Sequence, residues 1–219
     1  MIGNLYGRES VVNQFRSYMV DIQQVINLLP IHTIEATVER LHEARLTRKQ
    51  IFVMGNGGSA ATASHMGCDL AKNTLGANFP RPRVHALSDS TPLITAYGND
   101  CGYDAIFAEQ LSNFIEPGDV VLAISASGNS ANVLKAIELA NQHDAYTIGW
   151  SGYDGGQLAT LVDLPLVVPC HNIEQIEDIH MMLAHMVTMG VRNAVQKHHP
   201  FTTNSNANGA VVLPTLIAN

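Results

Sequence analysis

The chain has 219 residues and a formal net charge of −7, with 46% hydrophobic and only 14% charged residues. That length and apolar content suffice for one large folded domain and exclude global disorder, while so low a charged fraction suits a chain that hides part of its surface in an oligomer. The acidic balance argues against a general nucleic-acid binder, and no run nears the ~18 continuous apolar residues of a membrane span.

The opening residues, MIGNLYGRES, lack a basic stretch followed by an apolar one, so no secretory signal is expected. Amphipathic periodicity then predicts two helices, Ser10–Leu28 and Ile34–Ala44, which make residues 8–48 a helical segment ahead of any strand. Five short apolar runs follow: Ile51–Gly55, Val84–Ser88, Asp119–Ser125, Tyr146–Ser151 and Leu164–Pro169. They are continuously apolar, as in strands covered by helices on both sheet faces. Helical patterns separate them at Ala60–Asn73, Asp104–Phe114 and Ala131–Asn141, and a long one closes the series at Ile173–Gln196. The alternation predicts an α/β fold with a doubly wound, five-stranded parallel sheet flanked by helices. From Pro200 the chain turns rich in Asn and Thr without a period, so 200–219 reads as a loosely ordered tail on a single domain of residues 1–199. Cys68, Cys101 and Cys170 lie far apart, with neither a disulfide framework nor a CxxC motif, which predicts a reducing cytoplasm.

Two segments share one grammar of strand, Gly/Ser/Asn loop and helix: Gly55-Asn56-Gly57-Gly58-Ser59 and Ser125-Ala126-Ser127-Gly128-Asn129-Ser130. Glycines let a backbone approach a ligand, serine hydroxyls donate without charge, and a helix N-terminus favours an anion. Such loops sit at the carboxyl ends of strands, where doubly wound sheets bind ligands. Neither is GxxxxGK[ST] or GxGxxG, so a nucleoside triphosphate or dinucleotide is not expected. A monophosphate held by Asn56, Gly57, Gly58, Ser59, Ser125, Ser127 and Ser130 fits better.

GNGGSA (55–60), ISASGNSANVLKAI (124–137), DGG (154–156) and IEDIHMMLAH (176–185), with the stretch from Ser88-Asp89 to Gly98-Asn99-Asp100, resemble the SIS (sugar isomerase) domain family over residues 8–196, closest to the phosphoheptose isomerase group. The resemblance implies a SIS-type, flavodoxin-like sheet. It also implies an aldose–ketose isomerase that takes sedoheptulose 7-phosphate to D-glycero-D-manno-heptose 7-phosphate, working as a homotetramer with sites near subunit interfaces. A non-catalytic phosphosugar-binding regulator or assembly module is the alternative within the same family.

His65 and Asp69, at i and i+4, share a helix face, while Glu177, His180 and His185 lie near one another on the last helix. Two histidines with two carboxylates can build a divalent-metal site, although spacing does not choose between His180 and His185. The resemblance chooses His185: it implies a divalent ion, zinc by analogy, held by His65, Asp69, Glu177 and His185, with Asp69 as base, His185 as acid and Glu177 also touching substrate. The family carries Glu where this chain has Asp69, Gln where it has Glu177, Thr where it has Ala126 and a basic residue at Asn73. Asp89, just past a strand, either accepts a sugar hydroxyl or caps the helix beginning near Thr91. Asp100, in Gly98-Asn99-Asp100, reads as a turn residue.

Overall fold

The computed structural model describes residues 8–76 and 79–197. The tail expected at 200–219 lies outside them. Strands β1 (Gln50–Gly55), β2 (Arg83–Ala86), β3 (Val120–Ile124), β4 (Tyr146–Ser151) and β5 (Leu164–Val167) form one parallel sheet in the order β2-β1-β3-β4-β5. That is the flavodoxin-like order, with β1 and β3 side by side. The helices are α1 (Arg8–Asn27), α2 (Ile31–Leu46), α3 (Gly57–Asn73), α4 (Thr91–Asp100), α5 (Ile106–Ser112), α6 (Ala131–Gln142), α7 (Leu158–Leu161) and α8 (Ile173–Lys197).

Strand geometry sends successive side chains to opposite faces, so the apolar runs feed two cores. Ile51, Val53, Leu122, Ile124, Ile148 and Trp150 pack with α2, α3 and α8 on one side. Phe52, Met54, Val121 and Ala123 pack with α5, α6 and Leu158 of α7 on the other. β1 and β3 are buried along their whole length, whereas the edge strands β2 and β5 are only partly so.

Three local features differ from the sequence expectation. The predicted helix at Asp104–Phe114 divides into a 3₁₀ turn at Tyr103–Ala105 and α5. Gly98-Asn99-Asp100 closes the last turn of α4 rather than forming a turn of its own. α4 itself buries no residue, so no apolar stripe marks it in the sequence. α7 is a single turn, too short to show a period.

α1 is thinly covered. Val25 is buried and Tyr18 donates to Asp178 of α8, yet Val12, Phe15, Met19, Val20 and Ile26 remain exposed. At the ~100° per residue of an α-helix, Val12, Phe15, Met19 and Ile26 lie within about 60° of one another, beside the stripe that meets the protein.

Candidate functional site

β1 and β3 are neighbours whose connections diverge: the chain leaves β1 for the edge strand β2 and leaves β3 for β4. Such a switch point opens a crevice at the carboxyl ends of the strands. The two Gly/Ser loops form its walls. Ser59, Ser125, Ser127 and Ser130 line one cavity of about 300 Å³, together with Asn56, Tyr153 and Glu177. Ser125 Oγ and Ser130 Oγ are 3.2 Å apart, and Ser127 Oγ accepts the Asn129 N–H at 3.2 Å. Ser59 lies in the first turn of α3 and Ser130 directly precedes α6, so unpaired helical N–H groups face this end of the sheet.

The two loops are tied together by a reciprocal amide pair. Asn56 Nδ2 donates to Asn132 Oδ1 at 2.8 Å and Asn132 Nδ2 returns a bond to Asn56 Oδ1 at 2.9 Å. Tyr103 donates to the same Asn56 oxygen at 3.2 Å. The Asn56 side chain therefore braces the loop, although it also lines the cavity. Gly57 adopts φ +54°, and a Cβ on Gly58 would fall 2.6 Å from Glu177 Oε2. Glycine at 58 is what lets α8 lay a carboxylate against the start of α3.

Two turns further along α3, His65 and Asp69 meet His185 of α8. His65 Nε2 is 2.9 Å from His185 Nε2, 3.4 Å from Asp69 Oδ2, and the latter is 3.9 Å from His185 Nε2. The three donor atoms lie within 4.8 Å of one another. Two imidazole nitrogens and a carboxylate oxygen at these separations are a donor set that a divalent cation can bridge. Asn73, one turn on, donates to Asp69 Oδ1 at 2.8 Å, which leaves Oδ2 toward the histidines.

Glu177, expected beside these three, does not join them among the described residues. Eight positions of helix separate it from His185, about 12 Å along the axis at 1.5 Å per residue. Its carboxylate lines the serine cavity instead. His180 is also elsewhere. It is 1% exposed, makes a 3.3 Å contact to the Ser151 carbonyl through Nε2 and lies against Trp150. Burial drives its pKa down to about 4, against a smaller upward pull from the Ser151 carbonyl. Asp89 neither caps α4 nor faces the serine cavity: Ser64 Oγ donates to its carboxylate, one residue before His65.

Sequence reasoning passed over Ser64, Tyr103 and Asn132 as participants. Asn73 was visible as the i+4 neighbour of Asp69, whereas Asn132 reaches Asn56 only because β1 and β3 pair.

A family model described as the SIS domain matches residues 14–152. The chain is 41% identical over 154 residues to a phosphoheptose isomerase of Geotalea daltonii, an alignment covering 70% of this chain and 80% of that one. It is 34% identical over 181 residues to a phosphoheptose isomerase of Helicobacter hepaticus, covering 81% and 89%. Its fold superposes on the solved structure of a phosphoheptose isomerase from Francisella tularensis with a TM-score of 0.79 at 27% identity, covering 86% of this chain and 100% of that one.

Proposed function

The chain belongs to the SIS-domain family of phosphoheptose isomerases, and we propose that it is itself an aldose–ketose isomerase converting sedoheptulose 7-phosphate to D-glycero-D-manno-heptose 7-phosphate. The observation that carries this reading is that α3 bears both halves of a site: Ser59 in the phosphate cavity and, about 9 and 15 Å along the axis, His65 and Asp69 facing His185. A sugar chain of several carbons spans that distance, with its phosphate among the serines and its carbonyl end at the cluster. The cluster disfavours a purely binding SIS module, which has no use for it.

Isomerisation moves a proton between adjacent carbons through an enediolate. In this reading Ser125, Ser127, Ser130 and the α3 N-terminus hold the phosphate, with Ser59 beneath it. A divalent ion, zinc by analogy, held by His65, Asp69 and His185 would supply a Lewis acid beside the carbonyl. Asp69 lifts the proton from one carbon and returns it to the next, while the hydroxyl proton of the first carbon's oxygen passes to the neighbouring carbonyl oxygen. Nε2 is the His185 nitrogen turned to the cluster, and it carries no proton while it serves as a ligand, so we assign His185 to ligation ahead of the acid role. Glu177, between cavity and helix start, accepts from a sugar hydroxyl.

The uncovered stripe of α1 supports self-association, and we take the assembly to be a homotetramer with sites near its interfaces. Three unpaired cysteines suit the cytoplasm, and no helix among the described residues is long and apolar enough to cross a membrane. We read residues 1–199 as one SIS domain. A panel of ketose phosphates assayed with and without added divalent metal tests the proposal: turnover of the seven-carbon ketose that falls on chelation is expected, and no isomerisation of any member would overturn it.

A further inference from the structure

Of the twelve Lys and Arg residues in this acidic chain, five are Arg45, Arg48, Lys49, Arg81 and Arg83. No Asp or Glu occurs between Glu43 and Asp69, or between Asp69 and Asp89. The fold brings the two basic segments together at the ends where β1 and β2 begin. Arg45 Nε donates to the Pro80 carbonyl at 2.6 Å, and Arg83 Nη1 donates to the Arg48 carbonyl at 3.0 Å. The serine cavity lies at the other end of β1, whose six residues span about 20 Å at 3.3 Å each.

Between these segments is a cavity of about 400 Å³ lined by Arg45, Leu75, Gly76, Phe79 and Arg81. Arg45 is 1% exposed, and among the described residues neither Nη1 nor Nη2 has a hydrogen-bond partner. Its guanidinium carbon lies 5.3 Å from the centre of the Phe79 ring. Glu43, the nearest carboxylate in sequence, is engaged by Arg40 at 2.9 Å. Burial lowers the Arg45 pKa with no carboxylate opposing it. A buried guanidinium with both ends unpaired is costly, and it becomes favourable when an oxyanion takes its two parallel N–H groups. The exposed Arg81 beside it supplies the second cation that a doubly charged anion requires.

We propose that this cavity is a second phosphate-binding site, for inorganic phosphate or the phosphate of a small metabolite, distinct from the serine cavity at the opposite end of the sheet. Arg45 grips the anion with its fork, Arg81 neutralises the remaining charge, and Arg48, Lys49 and Arg83 draw it in through their field. The site rests on its own residues and stands whether or not the serine cavity binds a sugar phosphate.

Equilibrium dialysis of the full chain against radiolabelled inorganic phosphate tests it, with variants Arg81→Gln, Arg45→Met and Ser127→Ala/Ser130→Ala, and with glycerol phosphate as competitor. The wild type is expected to hold two phosphates per chain. Arg81→Gln, an exposed change, and Arg45→Met should each weaken one of them at least tenfold, leaving isomerase turnover at low phosphate unchanged. The double serine variant should lose the other one only. Competition by glycerol phosphate at the arginine site, read in the double serine variant, assigns the site to phosphorylated metabolites, and absence of competition assigns it to free phosphate. Phosphate binding identical in the wild type and Arg81→Gln overturns the inference even if Arg45→Met does not fold. A wild type that holds one phosphate, lost in the serine variant and kept in Arg81→Gln, overturns it as well. One phosphate lost in Arg81→Gln and kept in the serine variant upholds it and counts against the serine cavity instead.

Discussion

Asn73 Nδ2 holds Asp69 Oδ1 at 2.8 Å, so that the carboxylate presents its other oxygen to His65 and His185. An outer amide that fixes a ligating carboxylate typically governs metal affinity by 10–100-fold. Asn73→Leu should therefore weaken divalent-metal binding by about that factor while the far-ultraviolet spectrum stays native. Metal titration followed by calorimetry measures it; equal affinity in wild type and variant would show that Asp69 needs no brace.

Asp69→Asn keeps the shape and removes the base. Proton transfer by a placed side chain is worth about 10²–10⁴-fold, so turnover of the heptulose phosphate should fall by at least that much. His185→Ala should lose both metal and turnover. His180→Ala should keep the metal, because that ring faces Trp150 and the Ser151 carbonyl. Retained metal in His185→Ala would reassign the ligand.

Replacing Ser127 and Ser130 by Ala should raise the KM of the phosphosugar with little change in kcat. Each hydrogen bond to a charged group contributes about 1.5–3 kcal/mol, so binding should weaken at least tenfold. The thermal midpoint should barely move, since Ser127 is exposed and Ser130 half-buried. Steady-state kinetics on the double variant decide the matter, and an unchanged KM contradicts the phosphate assignment.

His180 makes stability pH-dependent. Its folded pKa of about 4 lies below the ordinary 6.5, so the unfolded chain takes up a proton that the folded chain refuses. Its contribution is complete above pH 6.5 and is lost as the pH falls toward 4, by about 3 kcal/mol at 1.4 kcal/mol per unit. Urea unfolding of wild type and His180→Gln across that window should show the wild type losing more stability. Parallel curves would place the proton elsewhere.

Phe15→Glu on the open stripe of α1 should reduce the assembly to a smaller species without unfolding the sheet domain. Phe15 is 63% exposed within one chain. Sedimentation velocity at micromolar concentration reads the change, and an unaltered sedimentation coefficient would free α1 of that role.

Much of the fold was legible because β1, β3 and β4 are buried on both faces and so read as unbroken apolar runs. α4 was legible only at its first residue, since it buries no residue and only lays Ile94 and Tyr97 against the core. The two serine loops were legible because their chemistry is local to the strand ends. The partners of α8 were not. Glu177, His180 and His185 share one helix, and only its packing on α3 separates them. That packing sets Glu177 against Gly58 and His185 against His65, and turns His180 under β4.

The Asn56–Asn132 pair makes the two loops a single rigid unit before any ligand arrives. Each amide gives one hydrogen bond and takes one, so each side chain is both donor and acceptor to the other. An aspartate at either position would offer only acceptors, and one of the two bonds would be lost. With the bridge intact the cavity needs no ordering when it captures an anion, and the entropy of closing two glycine-rich segments is spent during folding rather than at each encounter. Capture should then run in a single kinetic phase whose rate rises linearly with ligand concentration, with no slower rearrangement behind it.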